Sequence, residues 1–229
     1  MDPALTSLIA ASIAFVGSHF AMSHPLRGPM VRALGEKGFA GVYSLVSLAS
    51  FVWMVMAFRA MTRRGTPLWD GSGEALWAVA SLISIVGLAL FLGAFRGNPA
   101  LPAPHAGDGL ATKQPEGAFR VTRHPMMWGF ALWALSHILI APTPRTLVLA
   151  GAILFLALVG AHLQDRKKAV LMGAGWTAWE AKTSYWPRLG ALPGIGLGLW
   201  AVTLVLWLAL TWAHIWLAYV PAGVWRWVG

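Results

Sequence analysis

The sequence predicts an all-α membrane protein, a polytopic helical bundle of about six transmembrane helices forming a single integral membrane domain over residues 1–229. Three observations predict it. Of the 229 residues, 58% are hydrophobic and only 11% are charged, against about 25% charged in an ordinary soluble domain. Mean hydropathy is +0.65, so polar surface is too scarce to cover a water-soluble core. The aromatic set is skewed, with 14 Trp against 3 Tyr, and Trp favours membrane–water interfaces. The absence of Cys excludes disulfides, thiolate-bound zinc and iron–sulfur clusters.

A membrane-spanning helix needs about 20 mostly apolar residues. Six stretches approach or reach this, at 4–22, 39–60, 75–95, 126–140, 147–163 and 195–220. The first has no basic region before it and no obvious processing site after it, so it reads as a retained span. The fourth is short and follows His124-Pro125, where proline suits the first turn of a helix. All six are expected to be helices, because backbone groups in lipid must be satisfied within the segment.

The loops fix an expected orientation. Segments 26–38, 96–124 and 164–193 hold twelve of the 17 Lys and Arg residues. The opposite side holds Arg59, Arg63, Arg64, Arg145 and Arg226. Basic loops stay in the cytoplasm, which places both termini on the non-cytoplasmic side of a bacterial-type inner (cytoplasmic) membrane. Topogenesis and anionic headgroups account for the net charge of +9, so the expected partners are membrane lipids and not nucleic acid. Residues 98–114 are rich in Pro, Gly and Ala and read as irregular. Trp176–Glu180 reads as a short interfacial helix, and Trp225-Arg226-Trp227 as an interfacial anchor.

Ionisable side chains in a bilayer are costly and therefore candidates for function. His19, His137, His162 and His214 fall within spans, His24 and His124 at span edges, and His105 in a loop where solvation explains it. The spans contain no Asp or Glu partner, which argues against a proton pump or cation transporter. Imidazoles without carboxylates or thiolates point to haem, whose porphyrin supplies four nitrogens and leaves one or two axial positions to the protein. His19 is near the cytoplasmic end of its span, whereas His137 is about 18 Å from that end. Straight helices therefore bring them together imperfectly, and His19 with His162 is a competing pair on depth. Arg120, Arg123 and His124 sit where a helix begins beside a basic loop, a junction able to hold a haem propionate or a lipid phosphate. Asp165-Arg166 could pair in the same interface. Trp128, Phe130 and Trp133 are candidate linings for an apolar channel.

Several of these residues also carry a family resemblance. They are Gly17-Ser18-His19-Phe20 with Ser23, Gly35-Glu36-Lys37-Gly38, and Tyr43-Ser44-Leu45-Val46-Ser47-Leu48. The series continues with Arg120-Val121-Thr122-Arg123-His124-Pro125-Met126, Gly129 and Trp133-Ala134-Leu135-Ser136-His137. Asp165-Arg166-Lys167, Thr183-Ser184 and Pro187 close it. Over about residues 5–190, leaving an additional C-terminal helix at about 195–220, the chain resembles the NnrU family, itself similar to plant-type 15-cis-zeta-carotene isomerase. The resemblance implies haem b, with iron ligands at His19 and His137, and a Cys replaced here by Ala134. It also implies isomerisation of a cis-carotenoid double bond or, in the other branch, a nitric oxide and denitrification role with a diatomic gas as ligand. A weaker likeness reaches isoprenylcysteine carboxyl methyltransferases through Arg123-His124-Pro125, Trp176, Trp179 and Tyr185. Asp165-Arg166 departs from the paired Glu of those enzymes.

Overall fold

A computed structural model describes residues 2–62, 65–99 and 109–228. Helices make up all of its regular structure among these residues, with no strand. They are α1 (Pro3–Ser23), α2 (Arg27–Ala60), α3 (Glu74–Gly93), α4 (Ala118–Val121), α5 (Pro125–Ile140), α6 (Pro144–Met172), α7 (Ala174–Lys182), α8 (Leu197–Leu217) and α9 (Trp225–Val228). A 3-10 turn, Leu189–Ile195, precedes α8. The protein is a multi-pass helical membrane bundle.

Five helices, α1, α2, α3, α6 and α8, are long and apolar enough to cross a membrane. The sixth expected span, foreseen as short, is the shorter apolar helix α5, whose 16 residues extend about 24 Å. Two boundaries move. Helix α6 continues to Met172, so Asp165 to Lys168 lie on a helix and not in a loop. Helix α2 begins at Arg27 and turns sharply at Gly35, with φ 69° and ψ 170°. That is the left-handed region, which a side chain resists and glycine accepts. The turn separates a short basic helix from the span beyond, and the Arg27–Glu36 pair at 3.1 Å bridges it.

The chain divides into two compact units, and the division runs through α5 and α6. The first comprises residues 1–71 and 137–156. Helix α1 starts on Asp2, whose carboxylate accepts from the Ala4 amide at 2.9 Å, with Pro3 in the first turn. Leu8 and Ala11 of α1 pack with Met54, Ala57 and Met61, and Val148, Leu149 and Ile153 of α6 flank this cluster. Polar bonds close one end of the unit. The Leu68 amide donates to Pro142 O at 3.0 Å, Trp69 Nε1 to Leu139 O at 2.9 Å, and an Arg145 Nη to Met61 O at 3.0 Å.

The second unit comprises residues 72–136 and 157–229. Helices α3 and α5 approach closely at two glycines. A Cβ on Gly129 would stand 2.9 Å from Gly87 O and 2.8 Å from Phe91 Cβ, so the contact excludes a side chain. Small residues permit this kind of approach in membrane bundles, where lipid is as apolar as the helix surface. Helix α8 joins α3 through Trp207 Nε1, which donates to Ser84 Oγ at 2.9 Å. The C-terminal aromatic segment is a strap as well as an interfacial feature: Arg226 pairs with Glu74 at 2.9 Å, and Trp227 Nε1 donates to the same carboxylate at 2.6 Å. Helix α7 forms as expected, but Trp176 and Trp179 point inward and are fully buried with Leu110 and Phe119. Outside these seams the helices expose apolar side chains in quantity, among them Leu45, Leu48 and Met56 of α2 and Val205, Leu210 and Trp212 of α8. Lipid is the solvent for such a surface.

Candidate functional site

Each unit contains one concentration of the residues singled out from sequence. In the first unit it surrounds His19. The ring is half-buried, and its Nδ1 lies 2.7 Å from Phe15 O, one turn back on the same helix. Donation to that carbonyl puts the proton on Nδ1 and leaves Nε2 as a lone-pair donor, the form in which histidine binds metals. His214 on α8 makes the same bond to Leu210 O at 2.8 Å, so the bond alone does not distinguish a site. His19 differs in its surroundings. The Phe15 ring lies 4.4 Å from it and the Tyr43 ring 5.5 Å, while Phe51 stands beside Phe15 at 5.8 Å. Ser23 Oγ donates to Tyr43 Oη at 3.3 Å, tying the end of α1 to α2. The Gly17–Ser23 and Tyr43–Leu48 motifs thus meet around one imidazole.

His137 lies elsewhere in the same unit. The start of α1 belongs to the end closed by Met61, since Ala4 and Leu5 pack against the cluster containing it. His19 stands sixteen residues beyond Pro3, about 24 Å along the helix. His137 stands three residues before Ile140, about 5 Å from the end where Leu139 and Pro142 are strapped. Two imidazole nitrogens on one iron are about 4 Å apart. The helix register places His19 and His137 much farther apart than that. His162 is exposed on α6, in the other unit. His105 lies outside the described residues, as do Arg63 and Arg64. Among the described residues no three His, Asp or Glu side chains gather as a metal site.

The second concentration is the run 120–125. Arg123 reaches Asp165 of α6 with Nε at 3.0 and 2.9 Å and Nη2 at 2.6 Å. Its Nη2 also lies 3.4 Å from Glu180 of α7. His124 Nε2 donates to Asp165 Oδ1 at 2.7 Å. The carboxylate is buried, with its side chain 9% exposed, and His124 is 1% exposed. Backbone bonds hold the run in place: the Arg123 amide donates to Ser184 O at 2.8 Å and the Arg188 amide to Val121 O at 2.9 Å. Thr122 Oγ1 adds bonds to Ser184 O at 3.1 Å and Tyr185 O at 2.8 Å, and Trp128 Nε1 donates to Tyr185 O at 2.9 Å. Burial, reinforced by the Asp165 charge, raises the Tyr185 phenol above its usual range. The phenol therefore keeps its proton and donates to Leu158 O at 2.7 Å.

Arg123 and His124 do contact an anionic group, and it is the chain's own. A buried carboxylate shared by Arg123 and His124, with Arg123 also reaching Glu180, forms a lock joining the start of α5 to α6 and α7. Sequence reading paired Asp165 with adjacent Arg166 and missed this. The signal was available in the buried stripe Ala157, Ala161, Asp165 and Lys168, whose helical spacing continues the inward face of α6 past its apolar run. Arg120 points elsewhere. It lines a cavity of about 430 Å³ with Pro115, Lys182, Arg188, Gly190, Ala191 and Gly194, of which the sequence reading had singled out Arg120 alone.

The chain is 25% identical over 192 residues to the chloroplastic 15-cis-zeta-carotene isomerase of Zea mays, a match covering 82% of this chain and 50% of the maize protein. The chain therefore spans about half the length of that relative. No solved structure matches. The NnrU protein family matches residues 7–222, taking in the last long helix that the sequence motifs had left outside, and the chain belongs to that family.

Proposed function

We propose that this protein is a membrane isomerase that converts a cis double bond of a carotenoid-type polyene, with haem b as a cofactor that His19 would hold. The observation that carries the reading is the meeting of the α1 and α2 motifs around His19, in a chain similar over most of its length to a zeta-carotene isomerase. The bond from His19 Nδ1 to Phe15 O fixes the ring and directs its reactivity to Nε2. When bound, ferrous haem would supply a centre able to donate electron density into a polyene and weaken its double-bond character. Phe15 and Tyr43 offer apolar faces beside the imidazole. Phe51 is 42% exposed, so the aromatic patch reaches the surface that lipid covers, the direction from which a polyene arrives. Isomerisation adds and removes no atoms, and it needs none of the membrane carboxylates that proton transfer requires.

The proposed setting is a bacterial-type inner membrane, with both termini on the non-cytoplasmic side. Twelve of 17 basic residues lie in the segments 26–38, 96–124 and 164–193, which six spans place on the cytoplasmic side. A C-terminal reporter fusion should be active on the outer side only; activity in the cytoplasm would reverse the orientation.

Activity is tested in the dark, where photoisomerisation is absent. Reduced, haem-loaded protein incubated with tri-cis zeta-carotene should convert the central 15-cis bond, and oxidised protein should not. No conversion above a haem-free control would reject the isomerase reading. Carbon monoxide and nitric oxide difference spectra would then examine a gas-binding role.

A further inference from the structure

We propose that the cavity between Arg120, Lys182 and Arg188 is a binding site for a phosphate group. Among the described residues it is lined by three cationic side chains and no carboxylate, so its described lining is positive and carries no neutralising partner. The three reach it from different elements: Arg120 from α4, Lys182 from the last turn of α7, and Arg188 from the start of the 3-10 turn. Their positions are set by bonds that do not exhaust their donors. Lys182 Nζ uses two of its three N–H groups, on Ala111 O at 2.7 Å and Lys113 O at 3.2 Å. Arg188 is fixed by its backbone bond to Val121 O and gives one Nη to Thr183 O at 3.4 Å. The Arg120 guanidinium makes no hydrogen bond or ion pair to any described residue, although it lies 3.5 Å from where a Cβ on Gly194 would stand.

This arrangement contrasts with Arg123, three residues away, whose guanidinium is satisfied by Asp165. One short motif thus turns one arginine inward to a carboxylate and leaves the other facing an open basic cavity. A phosphate monoester carries about −1.5 to −2 charge and three acceptor oxygens, and arginine guanidinium groups match such oxygens in pairs. A volume of about 430 Å³ also leaves room for an esterified group beside the phosphate. Two sources share this chemistry, an anionic phospholipid headgroup and a soluble phosphate. The inference stands independently of isomerase activity and of haem.

The test uses the full-length protein in neutral detergent. Native mass spectrometry with phosphatidic acid and phosphatidylcholine measures lipid retention, and calorimetric titration with inorganic phosphate measures the free anion. Because Arg120 supports no other described side chain, Arg120→Gln should fold with unchanged thermal stability yet weaken binding about tenfold. Arg120→Glu should abolish it, and Arg27→Gln, a basic residue outside the cavity, should leave it intact. Preferential retention of phosphatidic acid, lost in Arg120→Glu, identifies a lipid headgroup; saturable binding of phosphate without lipid preference, lost in the same variant, identifies the soluble source. Equal retention of both lipids together with no phosphate binding would overturn the proposal. So would binding unchanged in Arg120→Glu, or succinate binding as tightly as phosphate.

Discussion

The two units use ionisable groups in opposite ways. In the first, the seam between α1, α2 and α6 is apolar, built on Leu8, Ala11, Met54 and Ala57. Its membrane-embedded imidazole, His19, bonds among the described residues only to the carbonyl of its own helix and faces aromatic rings. In the second, Arg123, His124, Asp165 and Glu180 satisfy one another, and helices approach at Gly87 and Gly129. The contrast teaches how to sort costly polar residues in a membrane protein. A group whose donors and acceptors are met by other side chains is working for the fold, whereas one left with an unused lone pair in an apolar setting is available to a ligand.

The largest way to break that comparison is at Asp165. Asp165→Ala leaves the Arg123 guanidinium and His124 without their carboxylate in a buried place, which costs about 3–5 kcal/mol. Thermal unfolding followed by fluorescence should show the loss, and it should exceed that of Glu180→Ala, which removes only the 3.4 Å contact. Next comes the close approach of α3 and α5. Gly129→Leu forces a side chain into the Gly87 backbone and should cost about 1–3 kcal/mol, read as a lower unfolding midpoint in detergent. Smallest in stability is His19→Ala, at about 1 kcal/mol, because His19 is half-buried and bonds within its own helix. A large destabilisation there would mean that His19 also holds the fold, and the contrast between the units would fail.

Much of the architecture was legible because lipid restricts the backbone to helices, and long apolar runs identify them. The spans at 4–22 and 75–95 match α1 and α3 within two residues. Elements were misjudged where polarity and helix end at different places. Helix α6 carries Asp165, Arg166, Lys167 and Lys168 beyond its apolar run, so hydropathy stopped it nine residues early. The tryptophans of α7 read as interfacial because composition does not reveal facing, and they are buried. At the candidate sites, the α1 and α2 motifs were visible, but their meeting at Tyr43 was not, since it depends on how two helices pack. Arg123 and His124 were expected to hold a haem propionate or a lipid phosphate, whereas the group they hold is Asp165. Identifying it as Asp165 required following helical periodicity across a charged stretch.

The central claim is that His19 is a ligand and His124 is a structural residue. Absorbance of the purified, haem-supplied protein, oxidised and dithionite-reduced, tests it directly for wild type, His19→Ala and His124→Ala. The wild type should show a Soret band that shifts on reduction. His19→Ala should lose or shift that band with its unfolding midpoint nearly unchanged, and His124→Ala should keep the spectrum while unfolding at lower temperature. A wild type without a Soret band, or a His19→Ala variant retaining both wild-type haem content and spectra, would contradict the account.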